Sequence, residues 1–238
     1  MTKPLISVIT VCYNAVNYIE ATILNVIGQK DENIQFIIID GGSTDGTVEI
    51  IKKYEGHIKY WISESDKGIY DAMNKAWAKA DNDSYLLYLG AGDKIIALPD
   101  MSLYGDADVI YGDAFLGENK LFKSTVGWRS YLGNTIHHQA MLVKKSLHFD
   151  PPFSLDFKIY SDFDFNQRLL KQGVKFCRDH SFQGYALEGG VSEQLDIDEI
   201  AQIVTKNHGF LIGKLSKLYF KLQKLNGVRK NNSSNSTV

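Results

Sequence analysis

The run Ile34-Gln35-Phe36-Ile37-Ile38-Ile39 restricts the fold of this chain more than any other stretch. It is too short for a helix and hydrophobic on both faces, the pattern of a central strand in a parallel sheet covered on both sides. Residues 5–13 form a second apolar, β-branched run, stopped by the polar Asn14 and Asn17. Between the two runs, residues 18–29 put Ile19, Ile23, Val26 and Ile27 on one face of a helix. Strand, helix and strand together make a βαβ unit.

The alternation continues. Residues 40–47 are a loop by composition, with Ser43 or Asp45 able to cap a helix over 48–54. A strand over 58–62, a helix over 68–80 and a strand over 84–89 follow, which predicts an α/β, Rossmann-like, mostly parallel sheet flanked by helices. From Trp61 to Asp93 a polar loop opens a helix, and the helix closes on a strand that ends in glycines and one carboxylate. Ligands of such sheets gather beyond the carboxyl ends of the strands. Asp66, Asp71, Asn74 and Asp93 are expected to meet there.

After Asp93 the rhythm changes. Residues 107–112 and 114–124 read as strands or a hairpin, 139–143 as a strand, and 174–177 and 182–187 as short strands. Residues 161–172 read as a helix with a capping box, Ser161 paired with Asp164, and Phe165, Leu169 and Leu170 facing inward. From Ile197 the chain is helical. There Leu211, Leu215, Leu218, Leu222 and Leu225 form one stripe, and Lys214, Lys217, Lys221 and Lys224 run beside it, an amphipathic basic helix. The predicted organisation is a catalytic domain over 1–195, in a nucleotide-binding half (1–93) and a smaller acceptor-side half (94–195). A helical extension over 196–230 and a polar, low-complexity tail over 231–238, expected to be disordered, complete it.

The 238 residues, 44% of them hydrophobic, suffice for one good core with a small appendage. A net charge of -2 gives no chain-wide basic field for nucleic acid. Cys12 and Cys177 lie far apart in apolar runs and belong to no C-x-x-C cluster, which fits a reduced cytosolic protein. Met1-Thr2-Lys3-Pro4 leads straight into a strand without a signal-peptide core, and no stretch is long enough to span a bilayer. The expected location is the cytoplasm or the inner face of its membrane.

Several motifs carry a resemblance. Val8-Ile9-Thr10-Val11-Cys12-Tyr13-Asn14, Asp40-Gly41-Gly42-Ser43-Thr44-Asp45-Gly46-Thr47, Asp66-Lys67-Gly68-Ile69-Tyr70-Asp71-Ala72-Met73-Asn74 and Leu89-Gly90-Ala91-Gly92-Asp93 occur in that order. Ile136-His137-His138-Gln139-Ala140 and Ser161-Asp162-Phe163-Asp164, followed by Arg168, come after them. Together they resemble the motifs of family-two inverting glycosyltransferases of the GT-A fold, over most of the chain up to about Ser192. One departure is visible: where many relatives carry an acidic triplet ending in two carboxylates, Gly90-Ala91-Gly92-Asp93 keeps only the last.

The resemblance implies an inverting, hexosyltransferase-type enzyme of bacterial surface polysaccharide synthesis in the cell envelope. It would use a nucleotide-diphosphate sugar, UDP-sugar favoured, and a hydroxyl of a glycan or lipid-linked saccharide. The resemblance puts Asp40 against the nucleobase, with an Asx-turn as the alternative. Thr10 and Tyr13 would line the same pocket, with Tyr13 equally suited to the core. Asp66 and Lys67 would lie near the nucleotide and its phosphates, with Asn74 in the same segment. For Asp66 and Asp71 the alternative is a helix entry.

Asp93 would hold Mg²⁺ or Mn²⁺ against the departing diphosphate, the adjacent Gly92 allowing close approach, with a solvated turn as the alternative. His138 is a candidate contact to either substrate and a second candidate ligand. Asp162 is the expected general base, since an acceptor hydroxyl is a poor nucleophile until a carboxylate takes its proton. Gly189-Gly190-Val191-Ser192 reads as a turn covering the site or an ordinary loop. The helix over 209–225 docks on its own domain, pairs with a second copy, or lies on anionic lipid. From a different class, a catalytically silent nucleotide-sugar-binding module remains the rival. A Rossmann oxidoreductase is more distant, because the first strand lacks the glycine-rich turn that dinucleotides need.

Overall fold

The computed structural model describes residues 5–29, 32–105, 107–118, 120–189 and 195–234, with side chains as far as residue 225. The predicted βαβ unit is present as β1 (Leu5–Cys12), α1 (Ile19–Ile27) and β2 (Ile34–Asp40). β1 and β2 pair in parallel from Ile6 opposite Ile34 to Cys12 opposite Asp40. α2 (Thr47–Lys53), β3 (Tyr60–Ser63), α3 (Ile69–Lys79) and β4 (Ser84–Gly90) follow. β4 joins β1 in parallel on the side away from β2, giving the order β3-β2-β1-β4. The order therefore reverses between β1 and β4, and a crevice opens beyond their carboxyl ends.

The second half adds β5 (Lys94–Ala97), β6 (Val109–Leu116), β7 (Lys120–Phe122), β8 (Met141–Lys144), α4 (Ser161–Gln172), β9 (Phe176–Ala186), α5 (Ile197–His208) and α6 (Phe210–Ser234). It extends the same sheet as β4-β8-β6-β9-β5, with β7 on β6. β8 runs antiparallel to both β4 and β6, whereas β6 and β9 pair in parallel. The strands expected to break at Asp113 and between 178 and 181 are continuous. Their register shifts between Tyr111 and Asp113, and Arg178 pairs with Asp113 at 2.8 Å. The polar residues that interrupt both apolar patterns thus satisfy each other across the bulge. β5 had no clear sequence signal, and residues 138–140 form a 3-10 turn ahead of β8.

The core forms a layer on each face of the sheet. Ile19, Ile23 and Val26 of α1 and Ile51 of α2 pack on one face with Val8, Ile38 and Leu87. Tyr70, Met73 and Ala76 of α3 and Phe165 and Leu169 of α4 cover the other with Ile9, Ile39 and Leu86. A third cluster joins Phe157 and Phe163 to Ile200, Ile203 and Val204 of α5, backed by Ile212 and Phe220 of α6.

α4 has the predicted bounds without the predicted capping box. Ser161 is its first helical residue, and its hydroxyl donates to the Ser154 carbonyl at 2.8 Å. Asp164 is fully buried, ion-paired with Arg168 at 3.1 Å and accepting from Asn207 of α5 at 2.8 Å, so it anchors α4 to α5. A buried carboxylate needs such partners. α6 continues to Ser234 where disorder was expected from residue 231; residues 235–238 lie outside the described ones.

Candidate active site

The loop after β2 is latched to the loop after β1. The Asn14 Oδ1 accepts from the Thr44 N–H at 3.0 Å, the Asn14 N–H donates to Ser43 Oγ at 2.7 Å, and the Val16 N–H donates to Asp45 at 3.0 Å. Asp40 is the hub of this latch. Fully buried, it accepts from the N–H groups of Gly42 and Ser43 at 3.1 and 2.8 Å and from the Ser63 and Ser43 hydroxyls at 2.6 and 2.5 Å. Its oxygens hold their own loop, as in the Asx-turn alternative. Thr10 is fully buried within β1, between Ile38 and Leu89.

What remains on the open side is Tyr13, 65% exposed, with Gly41 and Asp66. A Cβ on Gly41 would stand 2.7 Å from Asp66 Oδ2 and 3.4 Å from Tyr13 Cδ2, so only glycine leaves this cradle empty. Asp66 Oδ1 accepts from the Gly68 N–H at 2.8 Å. An exposed aromatic ring beside a carboxylate, above a bare backbone, suits a flat heterocycle that donates an N–H. Lys67 is exposed next to this cradle, where a phosphate could meet its charge. Asp71 accepts from the Lys67 N–H at 3.1 Å and pairs with Lys75 at 3.6 Å, the helix-entry alternative. The Asn74 amide donates to the Phe153 carbonyl at 2.8 Å and accepts from the Phe153 N–H at 2.9 Å, clamping α3 to the loop before α4.

Asp93 is 5% exposed and accepts three hydrogen bonds, from the Leu187 N–H at 3.0 Å, the Gly90 N–H at 2.6 Å and Gln139 Nε2 at 2.8 Å. Burial raises its carboxyl pKa, and these three donors counter that rise in part. What approaches Gly92 is the chain itself: a Cβ there would lie 2.5 Å from Leu187 Cδ2. Both Asp93 oxygens are thus engaged in tying the end of β4 to the end of β9. Among the described residues no group of three or more His, Cys, Asp or Glu could hold a metal ion. A Mg²⁺ or Mn²⁺ at Asp93 would therefore take its remaining ligands from the donor phosphates and water, not from a protein cluster.

Asp162, the second residue of α4, lies at the other end of the same cluster. Its carboxylate accepts from the Tyr70 hydroxyl at 3.1 Å and from Asn134 Nδ2 at 3.4 Å, and faces His138 Nδ1 at 3.3 Å. Burial alone would raise its pKa; the hydrogen bond and charge of His138 outweigh burial and bring it below the usual carboxylate value. For His138 burial alone would lower the pKa, but the Asp162 hydrogen bond and charge, with the charge of Asp93, raise it. His137 stacks on His138 at 5.5 Å, and burial, with the charge of His138, pushes its pKa down to about 4. Asp162 and His138 border a cavity of about 10 Å³ walled by Met73, Tyr88 and Phe153, room for about one water.

The structure therefore brings Tyr13 and Asp66 together at Gly41, with exposed Lys67 next in the chain, and separately brings Asp162 together with His138. Tyr70 and Asn134, which hold Asp162, were not among the expected site residues; Tyr70 sits inside a quoted motif, whereas Asn134 has no such signal. Gly189 is described, whereas the rest of the Gly-Gly-Val-Ser turn lies outside the described residues.

Comparison with known proteins adds the following. Residues 7–94 match the family model described as glycosyl transferase family 2. The chain is 26% identical over 192 residues to a PGL/p-HBAD biosynthesis glycosyltransferase of Mycobacterium tuberculosis, a match covering 75% of this chain and 74% of that protein. It is 41% identical over 97 residues to a putative teichuronic acid biosynthesis glycosyltransferase, TuaG, of Bacillus subtilis, over 39% of this chain and 37% of TuaG. S. aureus TarS 1-349 in complex with UDP-GlcNAc is similar in structure, with a TM-score of 0.65 at 17% identity, over 84% of this chain and 64% of that one. So is the mannosyltransferase PcManGT from Pyrobaculum calidifontis in complex with GDP-Man and Mn²⁺, with a TM-score of 0.62 at 15% identity, over 87% of this chain and 63% of that one. At these identities the structural likeness carries the fold alone, which is the expected GT-A fold.

Proposed function

We propose, for a chain that belongs to glycosyltransferase family 2 and has the GT-A fold, a direct displacement at the anomeric carbon of a nucleotide-diphosphate sugar. The observation that carries this reading is Asp162, a carboxylate with a lowered pKa that Tyr70, Asn134 and His138 hold. A hydroxyl of the acceptor delivers its proton to Asp162 as its oxygen bonds to the anomeric carbon. The bond from that carbon to the diphosphate breaks, its electron pair leaves with the phosphate oxygen, and the sugar inverts. The hydrogen bond from His138 helps to keep Asp162 ionised.

The donor is proposed to be a UDP-sugar, with its base between Tyr13 and Asp66 and its phosphates near Lys67. TarS was solved with UDP-GlcNAc and PcManGT with GDP-Man, so similar folds take either base. A glycan or lipid-linked saccharide of a bacterial surface polysaccharide is the proposed acceptor, in line with the names of the Bacillus and Mycobacterium relatives. The proposed place of action is the cytoplasmic side of the membrane; no helix among the described residues is long and apolar enough to cross it. PcManGT holds Mn²⁺ in its complex. Here Mg²⁺ or Mn²⁺ is proposed only as a companion of the donor diphosphate, and no step depends on a protein ligand for it.

The engaged state of Asp93 favours one rival, a silent nucleotide-sugar-binding module. Transfer assays with a panel of nucleotide-sugars, followed by NMR of the product's anomeric configuration, separate the readings. Inverted product from wild type and none from Asp162→Asn supports the enzyme. Donor binding with neither transfer nor hydrolysis supports the module.

A further inference from the structure

We infer that α6 lays this enzyme on an anionic lipid surface, its leucine stripe in the acyl boundary and its lysines among the headgroups. The inference rests on the transferase reading for its purpose, because it makes the acceptor a membrane-borne saccharide. It rests on the helix itself for its physics. α6 packs on its own domain by a narrow edge. Gly213 abuts Thr205 of α5, Ser216 is fully buried and donates to the Leu132 carbonyl at 2.6 Å, and Phe220 lies over Gly133. Docking on its own domain, the first of the three expectations for this helix, therefore consumes the face opposite the leucines.

Leu211, Leu215, Leu218, Leu222 and Leu225 are each more than half exposed. Spaced four and three residues apart, they occupy an arc of roughly 80° on the helix surface. Five exposed leucines in one row form a contiguous patch rather than scattered surface residues. Lys214, Lys221 and Lys224 are exposed along one flank, and Lys217 beside them pairs with Asp198 at 2.5 Å. No acidic residue occurs in α6 to oppose that charge. An apolar row bordered by cations is the pattern of an interfacial helix, and it complements anionic headgroups, whereas two copies meeting on this row would bring their lysines together.

The turn leading to that packed edge carries residue types found at membrane boundaries. Trp128, 66% exposed, and Tyr131 lie in a 3-10 turn at 128–131, and Arg129 stands over the Trp128 ring. Tryptophan and tyrosine favour the membrane–water boundary. This segment runs from the turn through Leu132 and Gly133, which touch α6, to Asn134, which donates to the general base Asp162. A few residues therefore connect the helix with Asp162.

The test uses the full chain and phosphatidylcholine vesicles with or without phosphatidylglycerol. The expected result is flotation with phosphatidylglycerol vesicles that weakens with salt, and little flotation with phosphatidylcholine alone. The double variant Leu215→Glu, Leu222→Glu is expected to lose vesicle binding by tenfold or more, while the thermal shift on adding UDP stays that of wild type. Lys214→Glu with Lys221→Glu, at exposed positions that leave the packed edge untouched, is expected to lose the preference for phosphatidylglycerol. Wild type that does not float, or variants that float equally well, would overturn the inference. So would a wild-type dimer that the leucine variants split and that binds no vesicles, because a second copy would then cover the stripe. Flotation without any nucleotide-dependent thermal shift would instead remove the transferase reading and leave the lipid surface standing.

Discussion

His138 Nδ1 stands 3.3 Å from Asp162 Oδ2, and the next residue along, Gln139, donates to Asp93 at 2.8 Å. One short turn thereby fixes the proposed base and the carboxylate at the end of β4 relative to each other. Gly184 makes this possible, because a Cβ there would strike the Gln139 carbonyl, and β9 would have to stand away from the turn. The site is assembled around this turn, with the sheet as its support.

Replacing Asp162 by Asn removes the proton acceptor while keeping the shape and much of the hydrogen bonding. The expected loss of transfer is about 10²–10⁴-fold, the usual contribution of a general base. UDP binding, measured by thermal shift, is expected to persist because Tyr13, Gly41 and Asp66 form a separate group. Loss of UDP binding with the same substitution would reassign Asp162 to the donor.

The His138–Asp162 pair also predicts a pH dependence of stability. Asp162 has a lowered pKa in the fold, so its stabilisation is present above the unfolded value of about 3.9 and is lost as pH falls through the folded one. His138 has a raised pKa, so its stabilisation is complete below the unfolded value of about 6.5 and is lost as pH rises through the folded one. The pair therefore stabilises most between about pH 4 and 6.5. The Tm advantage of wild type over His138→Gln should shrink as pH is raised from about 6 to 9. An advantage that stays level would show that His138 is uncharged throughout.

The parallel half was legible in the sequence because its signals are local: Ile34 to Ile39 reads as a buried strand without knowledge of any partner. The second half was less so. Asp113 and Arg178 look like interruptions until their ion pair across two strands is seen. The same difference in range explains the site. Asp162 and Tyr13 could be nominated from their motifs, and so could the Asx-turn at Asp40, but the engagement of Asn74 and Asp93 could not. Their partners Phe153 and Leu187 lie 79 and 94 residues away. A carboxylate in a motif shows what it can do, and only the fold shows which donors already occupy it.

Gly41→Ala probes the nucleobase cradle. The backbone at Gly41 is not left-handed, so alanine fits the chain, but its methyl would meet Asp66 Oδ2 at 2.7 Å and force that carboxylate aside. UDP affinity is expected to fall about tenfold, equivalent to about 1.4 kcal/mol, with little change in Tm. Titration calorimetry checks this. Undiminished affinity would mean that the base binds elsewhere.

Asp93 separates an architectural carboxylate from a metal ligand. Asp93→Ala leaves the N–H groups of Gly90 and Leu187 and the Gln139 amide without their acceptor. Each buried group so orphaned costs about 1–3 kcal/mol, so a drop in Tm of several degrees is expected, at about 2–4 °C per kcal/mol for a chain of this size. Asp93→Asn keeps one acceptor oxygen but turns an NH₂ toward donors on the other side, and should fall between wild type and alanine. In the folded asparagine variant, the Mn²⁺ concentration needed for half-maximal UDP binding should equal that of wild type, because neither Asp93 oxygen is free to reach an ion. A variant that keeps its Tm but needs far more Mn²⁺ would restore Asp93 as a ligand. It would also mean that the ends of β4 and β9 part when the donor enters, since the Leu187 and Gln139 bonds must break before a metal can take their place.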